Sequence, residues 1–318
     1  MPDRWRRRAA LPNAILAWAA LAAAALLAAG CSSSSAAGQP GPGGKIIAVG
    51  AENEYADVIA QVGGKYVQAS AIMSNPNTDP HTFEASASTG RLVNAARLVV
   101  QNGLGYDTFM DTIEKAVPDS GRRVIVVQKL LGLPDSTPNP HLWYDPATMP
   151  KVADAIAANL AAIQPSHAAY FKANAKTFAN SLAPWINAIG TFKQHYPGTP
   201  VATTEPIADY LLQALGADNK TPWAFQADVM NGTDPSAQDV AIERSLFTEH
   251  KVKAFVYNQQ VTDSLTESFI SLARANHIPV VGVYETMPEP GYHYQSWMLA
   301  EVRALQKAVT SGVSSEHL

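Results

Sequence analysis

The 318 residues carry 23 Lys+Arg against 27 Asp+Glu, a formal net charge of −4, and 47% of them are hydrophobic. That mild acidity argues against a nucleic-acid partner, which calls for a basic face. The length suits one large domain or two lobes of ordinary size, and a single cysteine excludes an internal disulfide.

The chain opens on Arg4, Arg6, Arg7 and Arg8, continues in an Ala/Leu-rich stretch over 14–29, and reaches Gly30-Cys31. A charged start, an apolar core and small residues at the end predict a secretory leader over residues 1–30. The apolar run is shorter than the about 20 residues a membrane span needs. Cys31, directly after Ala28-Ala29-Gly30, resembles the lipobox of bacterial lipoproteins, with Leu27 one position earlier than usual. That resemblance implies that Cys31 is lipidated and anchors an exported protein to the outer face of the cell membrane. Residues 31–44, rich in Ser, Gly and Pro, read as a flexible tether.

Short apolar runs follow at 45–49, 66–72, 97–101, 124–127, 200–204, 253–257 and 278–284. They alternate with segments of helical character at 55–62, 88–96, 150–163, 208–215, 239–249 and 264–275. Alternation of this kind predicts an α/β fold with parallel sheets. Between 166 and 195 the alternation stops, and Tyr170, Phe171, Ala175, Phe178, Leu182, Trp185 and Ile189 recur at helical spacing. One long connecting helix is expected there, bent at Pro184 and ended by Pro197-Gly198. The expected layout is a first α/β lobe over 45–165, a connecting helix over 166–196 and a second α/β lobe over 197–318.

Two segments look alike: Asp79-Pro80-His81-Thr82-Phe83-Glu84, and Asn139-Pro140-His141-Leu142-Trp143-Tyr144-Asp145-Pro146. Each puts a His directly after a Pro, with an aromatic residue two positions on. Proline fixes its own φ and holds the preceding residue extended, so the imidazole sits on a stiff loop and points in a defined direction. Such a His suits a metal ligand, whose lone pair must be aimed, and equally suits a turn cap. Glu84 and Asp145 are candidates to bond the second ring nitrogen or to cap the following helix. In the second half, Glu205 and Glu285 each follow a predicted strand, where open α/β sheets place ligands. A carboxylate there also fits a helix cap.

In order and surroundings these segments resemble the zinc/manganese family of metal-binding lipoproteins, the substrate-binding proteins of bacterial ABC importers. The likeness covers essentially the whole mature chain and includes the strand-end turn Asn102-Gly103-Leu104-Gly105. It implies two Rossmann-like α/β lobes joined by a long rigid helix, with metal in the cleft between them. It also implies His81 and His141 as ligands from the first lobe, and Glu205 and Glu285 from the second. Two positions depart from the family pattern. Asn139 stands where Asp is frequent, and Glu285 is one methylene longer than the usual Asp, with Glu289 and His293 nearby as competitors.

A set of two imidazoles and two carboxylates, without thiolate, suits manganese, zinc or, third, ferrous iron as the transported ion. Raw affinity favours zinc. No His-rich loop lies between residues 81 and 141, and its absence tilts the expectation slightly toward manganese. The resemblance further implies a cognate permease and ATPase as partners, a monomer, and no enzymatic activity. The rival readings are a surface adhesin or structural lipoprotein with incidental metal, a metallochaperone without a transporter, and a secreted metal-dependent hydrolase. The last would need three protein ligands, an open metal position and a general base, and the sequence holds no compact signature for it.

Overall fold

The structure is a computed structural model that describes residues 41–75, 83, 86–261, 263–288 and 290–318. Among the described residues the strands form two four-stranded parallel sheets, in the orders β2-β1-β3-β4 and β6-β5-β7-β8. The first comprises β1 (Ile46–Glu52), β2 (Val67–Met73), β3 (Leu98–Gln101) and β4 (Arg123–Val126). The second comprises β5 (Pro200–Thr203), β6 (Asp218–Asn219), β7 (Ala254–Asn258) and β8 (Val280–Val283). The central strands β1, β3, β5 and β7 are buried along nearly their whole length, as parallel strands covered on both faces must be, whereas the edge strands β2 and β4 are partly exposed.

In the first lobe, α1 (Asn53–Gly63) crosses from β1 to β2, α2 (Ala87–Ala95) precedes β3, and α3 (Thr108–Ala116) leads to β4. Then come α4 (Val127–Leu131) and α5 (Thr148–Ile163). The second lobe carries α8 (Asp209–Leu215), α9 (Trp223–Met230), α10 (Ala237–Thr248), α11 (Ser264–Ala275) and α12 (Tyr294–Ser311). In both sheets the chain reverses its direction of growth beside the first strand of the lobe, between β1 and β3 and between β5 and β7. Crevices at the carboxyl ends of such strand pairs are where open α/β sheets bind ligands.

The connection between the lobes is two helices in succession, α6 (Ala168–Ser181) and α7 (Ala183–His195), rather than one bent helix. Pro184 has no amide hydrogen to give Asn180, so the regular ladder lapses. Leu182 N bonds back to Ala179 O at 3.3 Å, and Ile186 N resumes the helical pattern on Leu182 O at 3.0 Å. Both helices face the same core through Phe171, Ala175, Phe178, Trp185, Ile189 and Phe192.

Helix α12 lies outside the elements expected from the sequence, although Trp297, Met298, Glu301, Val302, Leu305 and Ala308 line its buried face at helical spacing. It completes a single apolar core that also takes in β1, α1, α5, α6, α7 and β8. Trp297 and Phe225 pack inside, whereas Trp223, the first residue of α9, is 42% exposed. Among the described residues no helix is long and apolar enough to cross a membrane.

One buried charge in the second lobe yields a stability test. Glu243 on α10 is fully buried. Burial pushes its carboxyl up to about 8, only partly offset by the nearby Thr221 hydroxyl. In the unfolded chain a glutamate ionises near about 4.3. As pH rises past that value the unfolded state gains an ionised carboxylate that the fold refuses, so stability is full at acid pH and declines until about 8. Glu243→Gln removes this decline. Its melting temperature matches the parent near pH 4.5 and exceeds it increasingly toward pH 8, a gap on the order of a few kcal/mol that thermal denaturation across pH measures.

Candidate metal centre

Glu205 and Glu285 reach one place from two strand ends. Thr204 N continues the β5–β7 pairing onto Val256 O at 3.1 Å, and Thr204 Oγ1 accepts from Asn258 N at 3.0 Å. Glu205, the next residue, is thereby held beside the end of β7 and is 3% exposed. Past β8, Gln260 Oε1 accepts from the amides of Glu285 (2.6 Å) and Thr286 (2.8 Å), while Gln260 Nε2 donates to Thr286 Oγ1 (2.9 Å). This splint sets the direction of the fully buried Glu285 side chain. Asn258 joins the two: its Nδ2 donates to Glu205 Oε1 at 3.2 Å and to Glu285 Oε1 at 2.6 Å.

From the first lobe comes His141, fully buried at the head of a single 3-10 turn, Leu142–Tyr144. Asn102 Nδ2, at the end of β3, holds this loop through Pro140 O at 2.8 Å, and Asn102 is itself fixed by the Tyr55 hydroxyl at 2.7 Å. The strand-end turn after Asn102 has positive φ at Gly103, Leu104 and Gly105 (84°, 58° and 79°), a conformation glycine adopts without strain. The amides of Asn102 and Gly103 donate to the Asp107 carboxylate.

The ring of His141 is oriented by Asn139. Asn139 Nδ2 donates to Pro206 O at 2.7 Å, which turns its Oδ1 toward His141 Nδ1 at 2.8 Å. A carbonyl oxygen only accepts, so Nδ1 carries the hydrogen and Nε2 presents its lone pair. That Nε2 faces Glu285 Oε2 at 3.5 Å. The same oxygen accepts from the Tyr106 hydroxyl at 2.9 Å, and burial raises the Tyr106 pKa well above its usual value, keeping it a donor. Tyr106 and Trp143 wall the imidazole with edge-on rings. Two donors at about 2.1 Å from one cation, at a tetrahedral angle, stand about 3.4 Å apart, close to the gap between His141 and Glu285.

The structure thus brings His141, Glu205 and Glu285 together, the two carboxylates joined by Asn258 and His141 Nε2 3.5 Å from Glu285 Oε2. His81, Glu84, Glu289 and Cys31 lie outside the described residues. Among the described residues no three His, Cys, Asp or Glu side chains are arranged as a ready cation cage, and the Asn258 amide bonds both carboxylates. Asp145 does not serve His141; its Oδ1 accepts from Ala147 N at 2.9 Å and shapes the turn ahead of α5. His293 is no competitor of Glu285: its exposed ring pairs with Asp57 at 2.7 Å at the start of α12.

Sequence reasoning missed the amides of Asn139, Asn258 and Gln260 and the hydroxyl of Tyr106. The place of Asn258 at the end of β7, matching that of Glu205 after β5, was the available signal. It also missed Glu52 and Glu54, fully buried at the start of α1, whose four side-chain oxygens have no hydrogen-bond partner among the described residues. Burial first, then the neighbouring carboxylates, raises both well above the usual range.

Comparison with known proteins places the chain in a family. Residues 49–308 match the family ZnuA, zinc-uptake complex component A periplasmic. The manganese-binding lipoprotein MntA of Bacillus subtilis is 23% identical over 239 residues, covering 72% of this chain and 76% of that protein. The zinc-binding protein TroA of Treponema pallidum is 21% identical over 249 residues, covering 75% and 79%. The solved structure of the periplasmic zinc-binding protein TroA superposes with a TM-score of 0.71 over 85% of this chain and 100% of that one, at 18% identity, a likeness of fold. A manganese-bound periplasmic metal-binding protein from Candidatus Liberibacter asiaticus gives 0.69 over 83% and 100%, at 17% identity. With more than half its length matched, the chain belongs to the ZnuA family, the metal-binding substrate-binding proteins of zinc and manganese ABC importers.

Proposed function

We propose that this chain captures one divalent transition metal, zinc or manganese, between its lobes through His81, His141, Glu205 and Glu285, and hands it to a cognate permease and ATPase. The observation that carries this reading is the 3.5 Å approach of His141 Nε2 to Glu285 Oε2 inside a fully buried cluster. With Nδ1 protonated toward Asn139, both facing atoms are electron-pair donors, and the gap calls for a proton or a cation between them. Two carboxylates balance a divalent charge, and buried imidazole and carboxylate without thiolate suit zinc or manganese. The printed names of MntA and TroA, one manganese-binding and one zinc-binding, support the same metal class.

Delivery follows from the ties between lobes. Asn53 on α1 exchanges two bonds with the Met287 backbone (2.7 and 2.9 Å), two residues past Glu285. The Tyr144 hydroxyl donates to Tyr284 O at 2.8 Å, one residue before it. A metal bridging the lobes adds to these ties and stabilises this arrangement by its differential affinity, the state the importer recognises. Four protein ligands leave little room for a reactive water, so we propose binding without turnover. Cys31, placed as in a lipobox, anchors the exported monomer to the outer face of the membrane, in keeping with MntA being named a lipoprotein.

Competitive zinc and manganese titration of the purified chain tests the reading. His81→Ala and Glu205→Gln weaken binding of both ions by more than about 100-fold, beyond what loss of an outer hydrogen-bond partner brings. An unchanged dissociation constant in either variant removes that residue from the site. Affinity falls as pH drops through the ordinary imidazole range near about 6.5, because ligating imidazoles must be neutral; titrations at pH 5.5 and 7.5 read the difference. In the metal-free chain, long-range proton–nitrogen spectra show the hydrogen of His141 on Nδ1. Asn139→Ala gives a mixture of tautomers and weakens metal binding by about 10- to 100-fold.

A further inference from the structure

Asn258 is not a candidate ligand, yet its side chain touches two of them. It closes β7 with 1% of its surface exposed. Its orientation is fixed from both sides, since Asn258 Oδ1 accepts from Gln260 N at 2.9 Å and Asn258 N donates to Thr204 Oγ1 at 3.0 Å. With Oδ1 committed to an N–H, the Nδ2 group must face the carboxylates, and it donates to Oε1 of Glu205 and Oε1 of Glu285 at once. Hydrogen bonds to ionised groups in a buried setting are the strong ones.

A carboxylate that chelates a cation through both oxygens must swing until both lie at similar distances from it, and the anchored Asn258 amide, by holding Oε1, opposes that swing. Resting on the metal reading above, we propose that Asn258 is a positioning residue that holds Glu205 and Glu285 to one metal-facing oxygen each and so sets the ion's coordination number. For Glu285 that oxygen is Oε2, which faces His141 and takes the Tyr106 hydroxyl as well. Two imidazoles and two single-oxygen carboxylates make four donors. Four nitrogen and oxygen donors are the tetrahedral set zinc favours, whereas manganese is at home with about six, mostly oxygen. Asn258 therefore shifts the site toward zinc, against the slight tilt toward manganese drawn from the missing His-rich loop.

The test titrates the full chain, Asn258→Ala and Asn258→Ser with zinc and with manganese, and counts donors around each bound ion by X-ray absorption. Serine keeps an acceptor near Gln260 N but is too short to bridge both carboxylates, and melting temperatures identify a variant that has lost its fold. The parent holds zinc through four nitrogen or oxygen donors. In the variants the donor count rises and zinc weakens by about 10- to 100-fold while manganese weakens less, so the zinc-to-manganese affinity ratio narrows at least about tenfold. Equal weakening of both ions with an unchanged donor count overturns the proposal and leaves Asn258 a structural residue. A parent that binds neither ion overturns the metal reading itself, and this inference with it.

Discussion

Carboxylates and an imidazole gathered in a dry interior would repel or protonate if nothing intervened, and here neutral amides intervene. Asn139 aims the His141 ring, Asn258 joins Glu205 to Glu285, and Gln260 splints the backbone on which Glu285 rides. An amide supplies directional donors without adding charge, so Asn258 ties the two carboxylates together without placing a positive charge beside them. A lysine or arginine in the same place would satisfy the carboxylates and abolish the attraction for a cation.

The surroundings carry the same logic further. Glu52 and Glu54 are buried near Asp107 and Glu285, and burial keeps them toward the neutral form. Asp107, pushed up to about 6 by burial, is held by the amides of Asn102 and Gly103. Glu301 on α12, raised to about 8, accepts from Tyr144 and Trp297, linking the His141 turn to the C-terminal helix. A core this rich in carboxyl groups holds because nearly all sit among hydroxyl or amide donors, or stay protonated.

The two lobes repeat one solution. Each sheet grows outward in both directions from its first strand, and each crevice so formed receives polar side chains from strand ends: Asn102 in the first lobe, Glu205 and Asn258 in the second. The lobes meet over a shared apolar core, and α12 crosses between them. Asp57 of α1 accepts from the Tyr294 amide at 2.9 Å and pairs with His293, while the Tyr294 hydroxyl reaches Trp143 O at 2.6 Å. The segment that carries Glu285 is therefore pinned to the first lobe on both flanks, by Tyr144 at Tyr284 and by Asn53 at Met287. Kinship with TroA and MntA fits this build, in which the same scaffold serves ions of different coordination habit.

Much of this was legible in the sequence, since periodicity is local. The alternation of apolar runs and helical segments located seven of the strands and six of the helices between them but not α3, α4 or α9, and Pro-His pairs with strand-end carboxylates singled out His141, Glu205 and Glu285. The two-residue β6 was too short to leave a pattern, and the Pro184 break was foreseen as a bend rather than an interruption. What only the tertiary structure decided is which polar side chains converge. Asn258 and Glu285 are 27 positions apart and Asn53 and Met287 are 234 apart, and an amide's partner depends on direction and distance in space. The amino-acid order names the imidazoles, carboxylates and amides; the packing of two sheets and α12 sets which of them meet, and which oxygen of Glu285 faces His141.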